Sequence, residues 1–427
     1  MSVKETINRL LKNHRAISPI LIIILLIITA LGGSIPIWIS SNIVTNTIEN
    51  SANDIDSIGT SDGGKIKTMA VCYKPKTAQP YMQNFIAEHF DLVLIKFSWA
   101  EAAENIKNMN PDVTLVGYTD LMLMGTENPY WSEVNQHENW FYHDIYGNRL
   151  MHSYYGTYAL DITSSWKDFF PYLCSNYLEK YPFFDGILAD DAWNSFQLDC
   201  WTVPSSYIPY SIYENWEIDM ENMIINAKDK INGIVIQNAY DSTYADITGY
   251  VLWECFSHSQ YDSVYDKWWT YEETIQNLNY LQDMSKEGYT CIVSSGAKLP
   301  DNPSSYELQK AYDWMIYSLS CFLLFIDNFE RNYFAWNQID APDSDGYYEE
   351  MDYDHGEALN DYYKIKGEVY RRDFVNSTVV ANISDHSSYT VTISGKTYEL
   401  SPKQGLIIHK DNSLLKSFYF FLSVLSK

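Results

Sequence analysis

Eight short apolar runs, separated by stretches with helical apolar spacing, constrain this 427-residue chain more than any other feature. The runs are residues 69–73, 92–97, 113–117, 186–189, 233–236, 250–253, 290–294 and 321–326. Each has the length of a strand buried on both faces, as central parallel strands are. Between them, residues 81–90, 100–109, 165–178, 207–231, 271–284 and 304–318 carry apolar side chains three and four apart, which is the helical period. The stretch after the fifth run, 241–248, gives only a weak helix signal. This alternation predicts an α/β chain, a (β/α)8 TIM barrel over residues 67–370. An open doubly wound sheet ranks second, because no Gly-rich phosphate loop follows any run.

The pattern differs at both ends. Residues 18–40 are nearly all apolar, Lys4, Arg9, Lys12 and Arg15 precede them, and no Lys or Arg follows until Lys65. That length spans a bilayer, and the charge bias puts residues 1–17 in the cytoplasm and the rest outside. A cleaved signal with its site near Ala30-Leu31-Gly32 is the competing reading. It ranks behind an uncleaved transmembrane helix because the apolar run continues through Ile35, Ile37, Trp38 and Ile39. Residues 41–66, rich in Ser, Asn, Thr, Asp and Gly, read as a flexible linker. A final helix is expected over 357–370. Residues 371–411 then alternate as short strands with turns, a small C-terminal β-domain. Its Asn376-Ser377-Thr378 and Asn382-Ile383-Ser384 fit the N-glycosylation pattern. Residues 412–427 form an apolar tail that either docks on this domain or touches the membrane.

The net charge of −26 argues against a nucleic-acid partner, whose phosphates need a basic surface. The six cysteines include no C-x-x-C; Cys174–Cys200 is a candidate disulfide outside the cell. Residues 124–161 form a long insertion after the third strand, one wall of a cleft at the strand-end face. Its His137, His143 and His152 lack metal-ligand spacing, so neither metal nor cofactor is expected.

The chemistry is concentrated in Phe184-Asp185-Gly186-Ile187-Leu188-Ala189-Asp190-Asp191-Ala192-Trp193. Asp190 and Asp191 are too costly to bury unpaired, so they mark where the fourth strand emerges at its carboxyl end, the active-site face of a barrel. The sixth run ends in the same way, in Trp253-Glu254. Two carboxyl groups flanking a scissile bond are what glycoside hydrolysis requires. Asp190 and Glu254, two strands apart, are the candidate catalytic pair, with Glu254 the acid if its site is dry. Side chains alternate along a strand, so only one of Asp190 and Asp191 faces the axis, and Asp190 is preferred. Asp191, Asp120, Lys96, Asn238 and Asp327 are candidate substrate-binding groups, with Trp99, Trp193 and Trp253 as candidate stacking rings. Lys74, Ser294, Ser295 and Asn328 are further polar strand-end residues.

The Asp-Gly-x-x-x-Asp strand, the upstream Tyr158-Ala159-Leu160-Asp161-Ile162-Thr163 with Trp166, and Tyr370-Arg371-Arg372-Asp373-Phe374-Val375-Asn376 resemble an uncharacterised group of hypothetical barrel glycoside hydrolases. That group is similar to endo-polygalactosaminidase-like proteins and, more distantly, to the α-amylase superfamily. The resemblance covers roughly residues 67–410 and implies a hydrolase, with Asp190 as nucleophile. The chain departs from the amylase pattern: Leu188 stands where that superfamily has Arg, and Glu254 lies on a later strand than its acid. The reading is therefore a membrane-anchored glycosidase facing a cell-surface or environmental polysaccharide. The alternatives are a carbohydrate-binding or envelope protein on a degenerate barrel, and a barrel enzyme acting on sugars by deacetylation or lysis.

Overall fold

The structure is a computed structural model and describes residues 64–239, 243–257, 268–297, 299–336 and 345–410. Eight parallel strands carry it: β1 (Lys67–Cys72), β2 (Leu92–Lys96), β3 (Thr114–Asp120), β4 (Gly186–Asp190), β5 (Ile234–Gln237), β6 (Tyr250–Trp253), β7 (Thr290–Ser295) and β8 (Tyr333–Trp336). Their order in the sheet is β5-β4-β3-β2-β1-β8-β7-β6, a cyclic succession with β5 and β6 left to meet. Gln237 closes the gap. Its fully buried side chain donates to Tyr250 O at 2.8 Å and accepts from Thr248 Oγ1 at 2.5 Å. One apolar cluster fills the interior with Met69, Leu94, Val116, Leu188, Ile236, Leu252, Ile292 and Ala335, one residue from every strand. A packed interior of this kind is that of a TIM barrel.

Among the described residues, six helices of ten residues or more cover the outside: α1 (Pro80–His89), α2 (Ala100–Met109), α3 (Trp166–Lys180), α4 (Trp216–Lys230), α5 (Tyr271–Glu287) and α6 (Ser305–Phe325). The local sequence starts them. Pro80 opens α1, where its missing N–H costs nothing. Thr270 with Glu273 and Ser304 with Glu307 form complete capping boxes on α5 and α6. Gly186 is required at the start of β4, because a Cβ there would sit 2.0 Å from Ile234 O.

Two expectations are corrected. Residues 321–326 are not the eighth strand but the end of α6, from Cys321 to Phe325, with Ile326 just beyond it. The run reads as a strand because every side of this helix end is buried, which removes the 3.6-residue period. The true eighth strand is Tyr333–Trp336. Residues 357–370 are not helical either. They hold β9 (Tyr363–Lys366) and the start of β10 (Val369–Asp373), joined at Gly367, whose φ is +52°. With β11 (Ser377–Asn382), β12 (Tyr389–Ile393), β13 (Lys396–Leu400) and β14 (Gln404–His409) they make a sheet ordered β9-β10-β11-β14 beside a β12-β13 hairpin.

This small β-domain lies on α6 so closely that a Cβ on Gly405 would meet Ile316 O at 2.6 Å. Arg372 fastens the join. Its buried guanidinium donates to Asn360 O, Leu323 O, Leu324 O and Ile326 O, three of them at the open carboxyl end of α6. The Asn382 sequon is spent on structure, since Asn382 is fully buried and its amide donates to Ser387 O, Leu400 O and Ser401 O. All six cysteines are free, so Cys174 and Cys200 are not bridged. Gly64, Lys65 and Ile66 already belong to the folded unit, through His355 N to Gly64 O at 2.8 Å and Lys65 Nζ to Asp352 Oδ1 at 2.7 Å. The expected membrane span, the linker to residue 63 and the tail from 411 lie outside the described residues. Among the described residues no helix is long and apolar enough to cross a membrane.

Candidate active site

Register places the polar strand ends on one mouth. In β4, Leu188 fills the barrel interior, so Asp190, two residues on, faces the axis and Ala189 faces the helices. Asp120 is the direct neighbour of Asp190 across the β3–β4 ladder. Tyr118 precedes it on the same face, and its ring packs edge-on to Tyr73 at 4.9 Å.

The Asp190 carboxylate accepts three hydrogen bonds: Tyr118 OH at 2.7 Å on Oδ2, with Asn238 Nδ2 and Asp191 N both at 2.9 Å on Oδ1. Burial and the Asp190 and Asp120 charges hold the Tyr118 phenol far above its ordinary ionisation range, so it stays a donor. Asn238 is itself buried, and its carbonyl accepts from Ala192 N at 3.0 Å.

Asp191 has a φ of +56°, which turns it out of the strand direction. Its carboxyl and that of Asp120 share one proton, with Asp120 the donor, since their contact raises Asp120 and favours the ionised form of Asp191. Burial, then the Asp190 charge, pushes Asp191 up to about 7. Burial, then the Asp191 charge, pushes Asp120 well above the carboxylate range, although Asp120 also accepts from Leu123 N at 2.5 Å and Met122 N at 3.1 Å. Asp120 and Asp191, this close, cannot both ionise.

Glu254 follows β6, two residues beyond the interior residue Leu252, and so shares the mouth. Tyr155, from the insertion after β3, reports the convergence. Burial, then the Asp191, Asp190 and Glu254 charges, pushes its phenol up to about 12. The next residue, Cys255, has a φ of +55°, close to that of Asp191.

Not every expected residue arrives here. Trp253 faces outward, its ring 5.5 Å from Tyr280 on α5. Trp193 is buried between His152 and Trp201, each 6.4 Å away, and is no open platform. Its Nε1 makes no hydrogen bond of normal length, yet it is close enough to favour the ionised form of Asp191. Trp99 is half-buried just past β2, with Lys96 Nζ 6.0 Å from its ring. Asp327 is at the opposite end of the barrel, between α6 and β8, where it accepts from Ser285 Oγ and pairs with Arg331 at 3.7 Å. It was expected at the mouth only because the end of α6 reads as a strand.

In the Asp-Gly-x-x-x-Asp strand the first acid is structural. Asp185 accepts from Leu115 N at 2.7 Å and Lys107 Nζ at 3.0 Å. The insertion's histidines are apart: His137 stacks on Trp140, His143 bonds Glu138, and His152 Nδ1 accepts from Tyr154 N and Tyr155 N. Among the described residues no group of three or more His, Cys, Asp or Glu side chains is set to hold a metal ion. Tyr155 belongs to the insertion expected to wall the cleft, whereas Tyr118 was not foreseen. The signal for Tyr118 was its place two residues before Asp120, on the inward register.

A TIM barrel with acids gathered at its carboxyl-terminal mouth defines the class, a glycoside-hydrolase-like barrel. The model of hypothetical glycosyl hydrolase family 15 matches residues 107–378, and the chain belongs to that family. No curated protein matches it. Among solved structures it is similar to the glycoside hydrolase domain of PelA from Pseudomonas aeruginosa, with 12% identity and a TM-score of 0.44 over 66% of this chain and 98% of that one. The maltogenic α-amylase AmyB from Thermotoga neapolitana gives 10% and 0.45 over 81% and 98%. Aspergillus fumigatus Ega3, in complex with galactosamine, gives 10% and 0.38 over 64% and 91%.

Proposed function

We propose that this chain is a two-carboxylate hydrolase of O-glycosidic bonds in extracellular or cell-surface polysaccharide. Asp190 is the nucleophile or base, and Glu254 is the acid that protonates the leaving oxygen. The supporting observation is the Asp190 carboxylate, fixed at the mouth by three donors. A carboxylate held as an acceptor is suited to attack or to take a proton, and poorly suited to give one. Asp191 does not serve as the opposing group. Its amide bonds to Asp190 and its carboxyl to Asp120, so it lies on the same side of any bound sugar. Glu254 comes from two strands away, which is what flanking a bond requires. Asp120, Asp191, Asn238 and Lys96 border the substrate. The apolar residues 18–40, with basic residues before them, support a single-pass anchor with the barrel outside, or secretion after signal cleavage.

The test is reducing-sugar release from a polysaccharide panel by the wild type, Asp190→Asn and Glu254→Gln. Both variants should lose about 10³-fold or more in turnover, and azide, which ends the cleaved chain as a glycosyl azide and is therefore read by chain shortening rather than by reducing ends, should restore only Asp190→Asn. Rescue of Glu254→Gln alone would exchange the two roles. Wild-type turnover in either variant would end the two-carboxylate reading. Glycan binding without release by the wild type would favour the binding-protein alternative.

A further inference from the structure

The loops after β3 and β4 are joined edge to edge. Ser153 N donates to Cys200 O at 2.7 Å, Thr202 N to Met151 O at 2.9 Å and Ile145 N to Tyr207 O at 2.9 Å. The joined surface displays aromatic rings rather than hiding them: Tyr154 is 84% exposed, Tyr146 67%, Tyr210 65% and Tyr155 59%. They form two groups. Tyr155 packs edge-on to Tyr154 at 4.9 Å and stacks on the buried His152 at 4.7 Å, beside the acids. Tyr146 packs edge-on to Tyr207 at 5.1 Å, and Tyr210 edge-on to Tyr213 at 5.1 Å, where Ile145 N meets Tyr207 O.

These rings stand on fixed turns. His152 Nδ1 holds the amides of Tyr154 and Tyr155, each at 3.3 Å, and Asp144 Oδ1 holds Tyr146 N at 2.8 Å. Exposed apolar area on ordered backbone is the mark of a binding surface, because little entropy remains to be lost on contact. Tyrosine offers an apolar face and a hydroxyl together. A pyranose ring has the matching form, an apolar C–H face rimmed by hydroxyls. The Asp191, Asp190 and Glu254 charges that act on Tyr155, with a net charge of −26, oppose a polyanion.

We infer that the tyrosines of the joined β3 and β4 loops form a ledge that binds a glycan chain without acidic groups and leads it from Tyr146 and Tyr210 past Tyr154 and Tyr155 to Asp190. The ledge rests on the glycosidase reading for its purpose, and its test is binding rather than cleavage. The substrate it selects is a polymer rather than a disaccharide.

The experiment is affinity electrophoresis of the full-length protein carrying Asp190→Asn, in gels containing galactomannan, soluble starch, glycol chitosan or alginate. Tyr154→Ala/Tyr155→Ala and Tyr146→Ala/Tyr210→Ala are compared with Tyr306→Ala, an exposed tyrosine on α6. At least one of the first three polymers should retard the parent. Each double variant should weaken that binding about threefold to tenfold per ring lost, with the two effects multiplying. Alginate should not retard it. Equal retardation of the double variants and Tyr306→Ala overturns the ledge, as does failure of every polymer to retard the parent. Binding to phosphatidylcholine vesicles that the double variants lose, in place of polysaccharide binding, also overturns it. Polymer binding by a wild type that releases no sugar leaves the ledge standing and rejects the glycosidase reading. Cleavage with unchanged binding in the variants does the reverse.

Discussion

Asp191→Asn should make this protein more stable at pH 8, with little effect at pH 4. In the folded protein the Asp191 carboxyl is pushed from 3.8 up to about 7, by burial and then by the Asp190 charge. In the unfolded chain the same group ionises near its ordinary value. Between the two values the folded state keeps a proton that the unfolded state has released. Stability therefore falls as pH rises from about 4 to about 7 and stays at the lower level above that. The sign is opposite to that of a salt-bridged aspartate. At about 1.4 kcal/mol per pH unit, this interval sets a ceiling of about 4 kcal/mol. The carboxyl is partly reached by solvent and shares its proton with Asp120, so about 2 kcal/mol is expected.

Asparagine suits the test because it cannot ionise, has the same shape, and tolerates the φ of +56°. Its carbonyl oxygen would accept from the protonated Asp120, as the Asp191 carboxylate does now. Urea unfolding at pH 4, 6 and 8 measures the effect. The wild type and variant should coincide at pH 4 and separate by about 2 kcal/mol at pH 8, the variant being more stable. Parallel stability curves across this range would refute the shared proton, as would a variant less stable at pH 8.

Tyr118→Phe removes the 2.7 Å donor to Asp190 and should lower kcat by about 10- to 100-fold with KM little changed, as steady-state kinetics would show. An unchanged kcat would mean that this bond does not set the nucleophile. Arg372→Met strips the donors from four backbone carbonyls under the β-domain and should cost about 3–5 kcal/mol in urea unfolding. Arg372→Lys should not restore it, because one ammonium cannot span Asn360 O and the three carbonyls at the end of α6. A loss below about 1 kcal/mol would show that the β-domain is held by its apolar contacts alone.

Seven of the eight barrel strands could be read from apolar runs, because a strand buried on both faces has no other composition open to it. The eighth could not, because the completely buried end of α6 has that same composition. The error carried Asp327 with it to the wrong end of the barrel. The inward register of Asp190 followed from strand alternation, and the same rule bears on Trp253. If Glu254 faces the axis, the residue before it must face the helices, as Trp253 does against Tyr280. An acid and an aromatic adjacent on one strand are thus poor evidence for a shared site. The tyrosine ledge was legible only as a long insertion. What exposes Tyr154 and Tyr146 is the joining of two loops distant in sequence, Ser153 to Cys200 and Ile145 to Tyr207, which no local pattern encodes.

The two acids proposed for catalysis sit on strand ends built alike. Each is followed by a non-glycine residue with left-handed backbone, Asp191 at +56° and Cys255 at +55°. Each kink is then tied to the next strand, Ala192 N to Asn238 O at 3.0 Å and Phe256 N to Ser294 O at 2.9 Å. A left-handed non-glycine residue costs about 1–2 kcal/mol, so neither kink persists without those ties. The kink at β4 puts the Asp191 amide against the Asp190 carboxylate and turns the Asp191 side chain toward Asp120. Glycine at 191 would relieve the strain and keep the amide, but it would remove the carboxyl that shares the proton. The strain, the shared proton and the ordered Asp190 carboxylate therefore have one origin, the direction in which the chain leaves β4. Asn238 joins them, with its carbonyl holding the kink and its side chain holding the acid.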